Sequence, residues 1–230
     1  VPPVKVLLIS DIHMTAPDLP PERMSRLIDD FNALSPDLVL IAGDFYSGKR
    51  FATRRYSAAE IVAPLKRFKA RYGVVTVLGN HDIWHDEAGF KRELRKAGLT
   101  LLENQAVQRG PLVVGGVGDE FTNNDDVPKT LTAMQALPGT PIILTHSPDI
   151  VPKLSSGVAA VFAGHTHCGQ ANLPWSGAAI NSSSRYGMRF QCGDLTDKGQ
   201  RVFVTAGLGT SVIWLRYGAP PDAWLVTIGR

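Results

Sequence analysis

The hydrophobic positions of the chain alternate between short continuous runs and longer stretches with helical spacing. The first run, Val4 to Ile9, is almost continuously apolar and β-branched, which is typical of a strand buried on both faces. Residues 20–34 then place apolar side chains three and four positions apart, behind Pro20 and Pro21. Proline suits the first turn of a helix, so we predict a strand followed by a helix.

The same alternation continues to residue 98. Ser57 followed by Glu60 forms a capping-box pattern at the start of the second predicted helix. The predicted elements are a strand at 38–42, a helix at about 57–71, a strand at 74–78 and a helix at 86–97. A β-α-β-α-β-α order is typical of a layered α/β domain.

From residue 99 onward short strands dominate the pattern. We predict strands at 112–117, 141–145, 158–163, 202–206 and 224–228, with weak helices at 128–137 and 148–154. No linker, repeat or low-complexity tract separates the two halves. We therefore expect residues 1–230 to form a single domain of two stacked sheets flanked by helices, with Trp214 and Trp224 in its core.

Composition narrows the class of protein. With 44% hydrophobic and 20% charged residues, the chain is typical of a folded globular protein rather than a disordered or fibrous one. No apolar run approaches the roughly 20 residues that span a bilayer. A formal charge of +3 is too small to indicate nucleic-acid binding. Cys168 and Cys192 are too few for a disulfide framework, and nothing in the sequence requires an oxidising compartment.

Polar residues cluster where the predicted strands end. Five strand ends carry Asp, Asn or His: Asp11-x-His13, Gly43-Asp44, Gly79-Asn80-His81-Asp82, His146 and Gly164-His165-x-His167. The carboxyl ends of strands are where open α/β sheets place their ligand sites. Each fragment alone also fits a solvated loop, but five in this order do not.

These residue types are ligands that suit Mn, Fe, Zn, Ni or Mg. Because side chains two apart on an extended segment point the same way, Asp11 and His13 form one pair of ligands and His165 and His167 another. The remaining candidates are enough for a second metal. The sequence therefore predicts a metal site with room for two ions.

The ordered motifs resemble those of the calcineurin-like metallophosphoesterases, over Ser10 to Gly209. Finer features are similar to a bacterial branch that includes phosphodiesterases and relatives of UDP-diacylglucosamine pyrophosphohydrolases. Those features are 146–149 (HSPD), 165–170 (HTHCGQ), 184–187 (SRYG) and 207–211 (GLGTS). The resemblance implies an α/β fold: a four-layer αββα sandwich of two mixed sheets flanked by helices.

The resemblance also implies a role for each motif residue. Asp11, His13 and His167 would hold the first metal, Asn80, His146 and His165 the second, and Asp44 would bridge them. His81 would face the leaving group as a catalytic acid, oriented by Asp82. Two features depart from the family pattern: Asp44 is followed by Phe45, Tyr46 and Ser47 rather than by a second aspartate three positions on, and Cys168 replaces a common glycine. Because seven ligands are already present, we expect Cys168 to be a packed thiol, although a bond to Cys192 stays open.

The implied activity is that of a dinuclear-metal-dependent phosphohydrolase, first of all a phosphodiesterase. Two divalent transition-metal ions, manganese before iron, zinc, nickel or magnesium, would share a hydroxide that attacks phosphorus in line. One alternative is a pyrophosphohydrolase acting on a nucleotide-linked lipid precursor. A non-catalytic binding scaffold is disfavoured because every ligand position is present.

The substrate is expected to be an anionic phosphoester, lipid-linked in one alternative, without specific nucleic-acid binding. Arg50, Arg54 and Arg185 could hold a second phosphate or a lipid head group, or be solvated. The aromatic residues near the motifs could form an apolar rim around the site or could be ordinary packing residues. They are Phe45, Tyr46, Phe51, Tyr56, Trp84 and Trp175. The branch points to a cytoplasmic or membrane-associated bacterial protein, with peripheral membrane association or an anchor before Val1 left open.

Overall fold

The computed structural model describes residues 2–155, 157–174, 177–178 and 183–229. Trp175, one of the expected rim residues, lies outside them. The strands are β1 Val4–Ile9, β2 Thr15–Ala16, β3 Leu38–Ile41, β4 Arg54–Arg55, β5 Val74–Thr76, β6 Thr100–Leu101, β7 Gln105–Arg109, β8 Leu112–Gly116, β9 Thr140–Leu144, β10 Ala160–Ala163, β11 Asn172–Leu173, β12 Gly177–Ala178, β13 Gly193–Asp197, β14 Gln200–Val204 and β15 Trp224–Ile228. The α-helices are α1 Pro21–Ala33, α2 Ala58–Val62, α3 Asn80–Lys96 and α4 Val127–Gln135.

Two mixed sheets carry the fold. The first has the order β15-β1-β3-β5-β6, with β15 antiparallel and the other strands parallel. The second has the order β13-β14-β10-β9-β8-β7, with parallel inner strands and antiparallel edges. Short paired segments, β2 with β4 and β11 with β12, lie outside them.

Three hydrophobic clusters define four layers. Between the sheets, Val6 and Leu40 of the first belong to one cluster with Ile142 and Phe162 of the second. On the outer face of the first sheet, Ile9 and Ile41 are packed with Met24 and Ile28 of α1 and Phe90 of α3. On the outer face of the second, Ile143 is packed with Met134 of α4 and with Ile150, which lies in the 3₁₀ segment Pro148–Lys153. The predicted αββα sandwich is confirmed.

The predicted helix at 57–71 is wrong in its second half. Ser57 caps α2 with the expected capping box, in which Glu60 accepts a hydrogen bond from the backbone N–H of Ser57. The segment Ala63–Arg67 is then a 3₁₀ helix. Pro64 lacks an N–H and cannot extend an α-helix, which explains the early end.

The third predicted helix begins earlier than 86, because the Gly79-Asn80-His81-Asp82 motif is its first turn rather than a loop. Asp82 accepts the backbone N–H of Gly79 at 3.0 Å and so caps the helix. Asp86 has non-helical φ and ψ, which kinks α3 where the pattern predicted its start.

Other departures concern surface positions. The edge strands β7 and β13 were not predicted, because their side chains alternate between exposed and half-buried and give no apolar run. Trp224 packs against the cluster between the sheets, but Trp214 is 48% exposed and is not a core residue. In the described residues, no helix is long and apolar enough to cross a membrane.

The expectation of a packed thiol at position 168 is also wrong, and the alternative left open, a bond to Cys192, is present. Cys168 forms a disulfide with Cys192, 24 residues along the chain. Tertiary packing places the loop after β10 beside the segment before β13, and sequence spacing alone does not show this.

Candidate metal centre

Seven predicted ligands meet where the carboxyl ends of the two sheets come together. Asp11 and His13 follow β1, Asp44 follows β3 and Asn80 begins α3 after β5. His146 follows β9, while His165 and His167 follow β10 in the second sheet. All seven are buried, with exposures between 0% and 6%. The centre therefore needs both sheets.

Three of these side chains form a first cluster. Asp11, His13 and His167 offer ligand atoms that all lie within 4.8 Å of one another. The Nε2 atoms of His13 and His167 are 3.1 Å apart, and His167 Nε2 is 3.3 Å from Asp11 Oδ1. These are the residues expected to share the first metal.

A second cluster lies beside it. His146 Nε2 is 3.1 Å from Asn80 Oδ1 and 3.1 Å from His165 Nδ1. The structure thus brings together the residues expected at the second metal.

Asp44 lies between the clusters. Its Oδ2 atom is 3.4 Å from His13 Nε2 in the first cluster and 3.4 Å from His146 Nε2 in the second. Its Oδ1 atom accepts the backbone N–H of His81 at 2.9 Å. One carboxylate oxygen therefore faces both clusters while the other is held by α3.

Backbone carbonyls orient two of the histidines. His13 Nδ1 is 2.8 Å from the carbonyl of Tyr46, and His146 Nδ1 is 2.6 Å from that of Ala42. A carbonyl only accepts, so Nδ1 carries the proton in each ring and Nε2 points into the cluster. This is the usual arrangement of a metal-binding histidine.

The charges of the cluster fit a bound cation. Burial lowers the pKa of His13 and of His165 to about 3, which leaves both rings neutral as ligands. Burial opposes a charge on His146, but Asp44 and Asp11 outweigh it and raise its pKa well above its ordinary value. Without a metal ion, a proton on His146 thus balances the negative charges of Asp44 and Asp11. A bound metal ion would neutralise the same carboxylates.

Unpartnered atoms also fit a metal. Asp11 Oδ1 and His165 Nε2 are buried without a hydrogen-bond partner in the described structure. Buried polar atoms are normally satisfied, so an orphaned atom on a residue of each cluster calls for a further partner. The donor set of carboxylate, imidazole and amide matches the chemistry of divalent transition metals.

The backbone at the ligands is unusual. Five of the seven candidates have positive φ angles: Asp11 48°, His13 43°, Asp44 53°, His165 71° and His167 51°. Such conformations are uncommon outside glycine and cluster at functional sites. Glycines make room nearby: a Cβ on Gly43 would lie 2.5 Å from the backbone nitrogen of Gly79, so the two motif loops touch.

A pocket of about 230 Å³ opens onto this centre. Its lining includes the ligands Asp44, Asn80, His165 and His167, together with the half-buried His81. His81 also lies within 4.8 Å, ligand atom to ligand atom, of His13 and Asp44. It is the motif histidine best placed to meet a molecule entering the pocket.

Comparison with known proteins matches the part of the chain that carries these residues. A family model for calcineurin-like phosphoesterases matches residues 4–169, most of the chain. The chain belongs to the calcineurin-like phosphoesterase family. The match takes in all seven candidate ligands and His81, and the family is metal-dependent.

Two bacterial relatives of this phosphoesterase carry names that give only the family. The uncharacterized metallophosphoesterase YkoQ of Bacillus subtilis is 26% identical over 227 residues, which cover 95% of this chain and 81% of YkoQ. An uncharacterized metallophosphoesterase of Helicobacter pylori J99 is 27% identical over 228 residues, 95% of this chain but 58% of that protein. The structure resembles a 5'-nucleotidase precursor from Thermus thermophilus with a TM-score of 0.56 and 16% identity, over 90% of this chain and 49% of that one. That likeness shows the fold alone.

Asp82 has partners other than the expected one. Its carboxylate accepts the backbone N–H groups of Gly79 at 3.0 Å and of Tyr46 at 2.9 Å. It therefore joins the second and third motif loops of the phosphoesterase rather than bonding the ring of His81. Burial and the charge of Asp44 raise the pKa of Asp82 to about 8.

The three predicted substrate-binding arginines lie elsewhere. Arg54 pairs with Glu60 at 2.7 Å, Arg185 pairs with Glu120 at 2.6 Å, and Arg50 is exposed. Within the described residues, none of them lines the pocket at the centre. Substrate binding by these arginines stays a prediction.

Most of the aromatic residues considered for the rim are packing residues. Phe45, Tyr46 and Tyr56 are buried in the cluster beneath α1 and α3. Phe51 is 74% exposed, but it is not among the residues that line the pocket. Trp84 is the one of these described aromatic residues that lines it.

Several side chains at the centre were not predicted from the sequence. Phe121, Ser183, Ser211 and Val212 line the pocket. Arg216 places Nη2 3.3 Å from His167 Nδ1 and donates hydrogen bonds to loop carbonyls, among them Ala206 at 2.6 Å. Ser211 lies in a quoted motif, but the others carry no local signal, because long-range folding brings their segments to the site.

Proposed function

We propose that this phosphoesterase is a phosphodiesterase with two divalent metal ions, manganese being our first choice. The observation that carries the proposal is the position of Asp44 Oδ2, 3.4 Å from a histidine nitrogen of each cluster. A carboxylate between two ligand sets supports a bridge between two ions. Bound there, the ions would supply a water of low pKa as nucleophile and a clamp for the phosphate oxygens.

The chain's own residues would perform the remaining steps. We assign Asp11, His13 and His167 to one ion and Asn80, His146 and His165 to the other. His81, on the pocket wall, would donate a proton from its ring to the departing alkoxide. Its backbone N–H keeps Asp44 in position at the same time. Asp82 would act as a positioning residue that keeps the loop of Asp44 against the start of α3.

A diester fits the pocket better than a monoester does. In the described part of the chain, no lysine or arginine lines the pocket. A dianionic monoester would therefore find no side-chain cation beyond the metals, whereas a diester carries a single negative charge. The same observation disfavours a pyrophosphate, whose second phosphate would have no partner.

We also propose that residues 1–230 act as one domain. The support is the shared cluster between the sheets and a centre whose ligands come from both. The proposed mechanism does not depend on the cellular compartment or on the branch of the family to which the protein belongs.

Metal analysis together with paired substrates tests the proposal. Purified protein is loaded with Mn²⁺, desalted and assayed for manganese per chain by mass spectrometry. Hydrolysis of methyl p-nitrophenyl phosphate is then compared with that of p-nitrophenyl phosphate, because the leaving group is the same. We expect two ions per chain and a kcat/KM at least about tenfold higher for the diester, a difference of about 1.4 kcal/mol.

The variant Asp194→Asn serves as a control, since Asp194 pairs with Arg201 on an exposed edge strand. It should match the wild type in both assays. One ion per chain with full activity, or a preference for the monoester, would overturn the proposal.

A further inference from the structure

The mouth of the pocket carries three apolar side chains from three separate segments. Trp84 on α3, Phe121 after β8 and Val212 before β15 all line it. They are 61%, 43% and 63% exposed. We call these three residues the apolar lip. Apolar side chains that converge on the rim of a polar pocket are typical of a ligand-binding surface.

The lip packs directly onto the centre. The ring of Phe121 lies 4.8 Å from that of His165, and the ring of Trp84 lies 5.5 Å from that of His81, centroid to centroid. The Trp84 and Phe121 rings are themselves 5.9 Å apart at 61°. A phosphate at the ligands would therefore place its ester group against these rings.

The pocket is too small to enclose a whole substituent. Trp214 and Leu215, two and three residues past Val212, are also exposed, at 48% and 55%, but they are not among the residues that line this pocket. A pocket of about 230 Å³ leaves room for the phosphate and the first atoms of a substituent, while the rest would extend outward past the apolar lip. An elongated hydrophobic group matches that shape.

Charge disfavours the main alternative occupant, a substrate with a second phosphate. A nucleoside diphosphate or pyrophosphate group needs cations for its second phosphate. The lining holds none in the described residues, and the stretch 175–182 contains no lysine or arginine in its sequence. Arg54 and Arg185 are already paired with glutamates.

We propose that the apolar lip binds a hydrophobic alkyl or aryl group esterified to the phosphate. The preferred substrate is then a monoanionic phosphodiester with one apolar substituent. This rests on the proposed phosphodiesterase activity for the reaction, but the binding itself does not depend on turnover. Transfer of each buried methylene out of water favours binding about fourfold, so a partly covered hexyl group is worth at least about tenfold.

Binding and turnover are measured separately. Isothermal calorimetry on Mn²⁺-loaded protein gives the Kd of methyl, hexyl and phenyl phosphate, which are products of diester hydrolysis. Assays with methyl, hexyl and phenyl esters of p-nitrophenyl phosphate give kcat/KM with a constant leaving group. We expect the hexyl compound to exceed the methyl compound at least about tenfold in both binding affinity and kcat/KM. The phenyl compounds show whether the lip binds rings as well as alkyl chains.

Variants assign the preference to the lip. Trp84→Ala and Phe121→Ala should each lower the hexyl-to-methyl ratio several-fold. Leu225→Ala is the matched control, because Leu225 is 42% exposed on β15 and does not line the pocket. It should keep the wild-type ratio.

The outcomes separate the two proposals. Hexyl phosphate that binds no tighter than methyl phosphate overturns the lip, whether or not diesters are hydrolysed. Tighter hexyl binding without hydrolysis leaves the lip standing and overturns the phosphodiesterase. Absence of binding by all three phosphates together with no hydrolysis of any of the three diesters overturns both. If Phe121→Ala weakens sedimentation with phosphatidylglycerol vesicles but leaves the hexyl-to-methyl ratio unchanged, the lip contacts membranes and not substrate.

Discussion

Asp44 and His81 are joined by a hydrogen bond of 2.9 Å from the backbone N–H of His81 to Asp44 Oδ1. The bond connects the carboxylate between the two ligand clusters to the histidine on the pocket wall, although 37 residues separate them in the chain. The residue proposed to bridge the metals and the residue proposed to protonate the leaving group are thus held in one unit. Changes at the two positions should nevertheless have different signatures.

Replacing Asp44 should remove metal and activity together. Asp44→Asn keeps the size of the side chain but loses the charge that faces His13 and His146. We expect fewer than two ions per chain and a loss of kcat/KM beyond about 100-fold, which is the upper range for a residue that only supports a ligand. Metal analysis and a diester assay measure the two effects. Full occupancy with a full rate would refute the bridging role.

Replacing His81 should affect chemistry without emptying the centre. For His81→Gln we expect diesters with alkyl leaving groups to slow by about 10²–10⁴-fold, because a poor leaving group needs the proton. Diesters with p-nitrophenolate, a good leaving group, should slow far less. Metal content is the control. A loss of metal in this variant would instead indicate that His81 is itself a ligand. The ligand atoms of His81, His13 and Asp44 lie within 4.8 Å of one another, which is close enough for a shared ion.

Breaking the disulfide should loosen the ligands next to it. Cys168 directly follows His167, and Thr166 donates a hydrogen bond to the carbonyl of Gln191, beside Cys192, at 2.6 Å. In the chain-entropy model, a loop of 24 residues corresponds to about 3 kcal/mol of stability. We expect the double variant Cys168→Ala/Cys192→Ala to melt at a lower temperature and to bind Mn²⁺ more weakly.

A reductant supplies the matched control for that experiment. A phosphine reductant should weaken metal binding of the wild type to the level of the double variant and should leave the variant itself unchanged. Equal melting temperatures and equal Mn²⁺ affinities for wild type and variant would mean that the disulfide does not support the centre.

Metal binding should release protons near neutral pH. The raised pKa of His146 means that its ring is protonated at pH 7, so an ion bound to its Nε2 must displace that proton. His13 and His165, with pKa values of about 3, have none to lose. Affinity should therefore rise with pH.

Calorimetry in buffers of different ionisation enthalpy counts the protons released. We expect at least one proton per loaded chain at pH 7, and tighter binding at pH 8 than at pH 6. Release of no proton, or affinity independent of pH, would show that His146 is neutral before the metal binds.

The sequence by itself predicted the layers and a set of candidate ligands. Continuous apolar runs such as Val4 to Ile9 belong to strands covered on both faces, because only burial tolerates them, and the structure shows β1 so placed. The Asp, Asn and His residues that follow these strands could be named as candidate ligands from their chemistry, and the structure brings them together. The helix boundaries differ from the pattern, because Pro64 and the cap at Asp82 act on single backbone groups.

The tertiary structure alone decided what surrounds those ligands. Three features show this: Cys192 bonded to Cys168, the guanidinium of Arg216 beside His167, and the lip residues Phe121 and Val212. Cys192, Arg216, Phe121 and Val212 all lie outside the quoted motifs. Local patterns record which face of an element is buried, but they do not record which distant loop will cover a strand end. That depends on how the two sheets stack, and the stacking brings these loops to the centre.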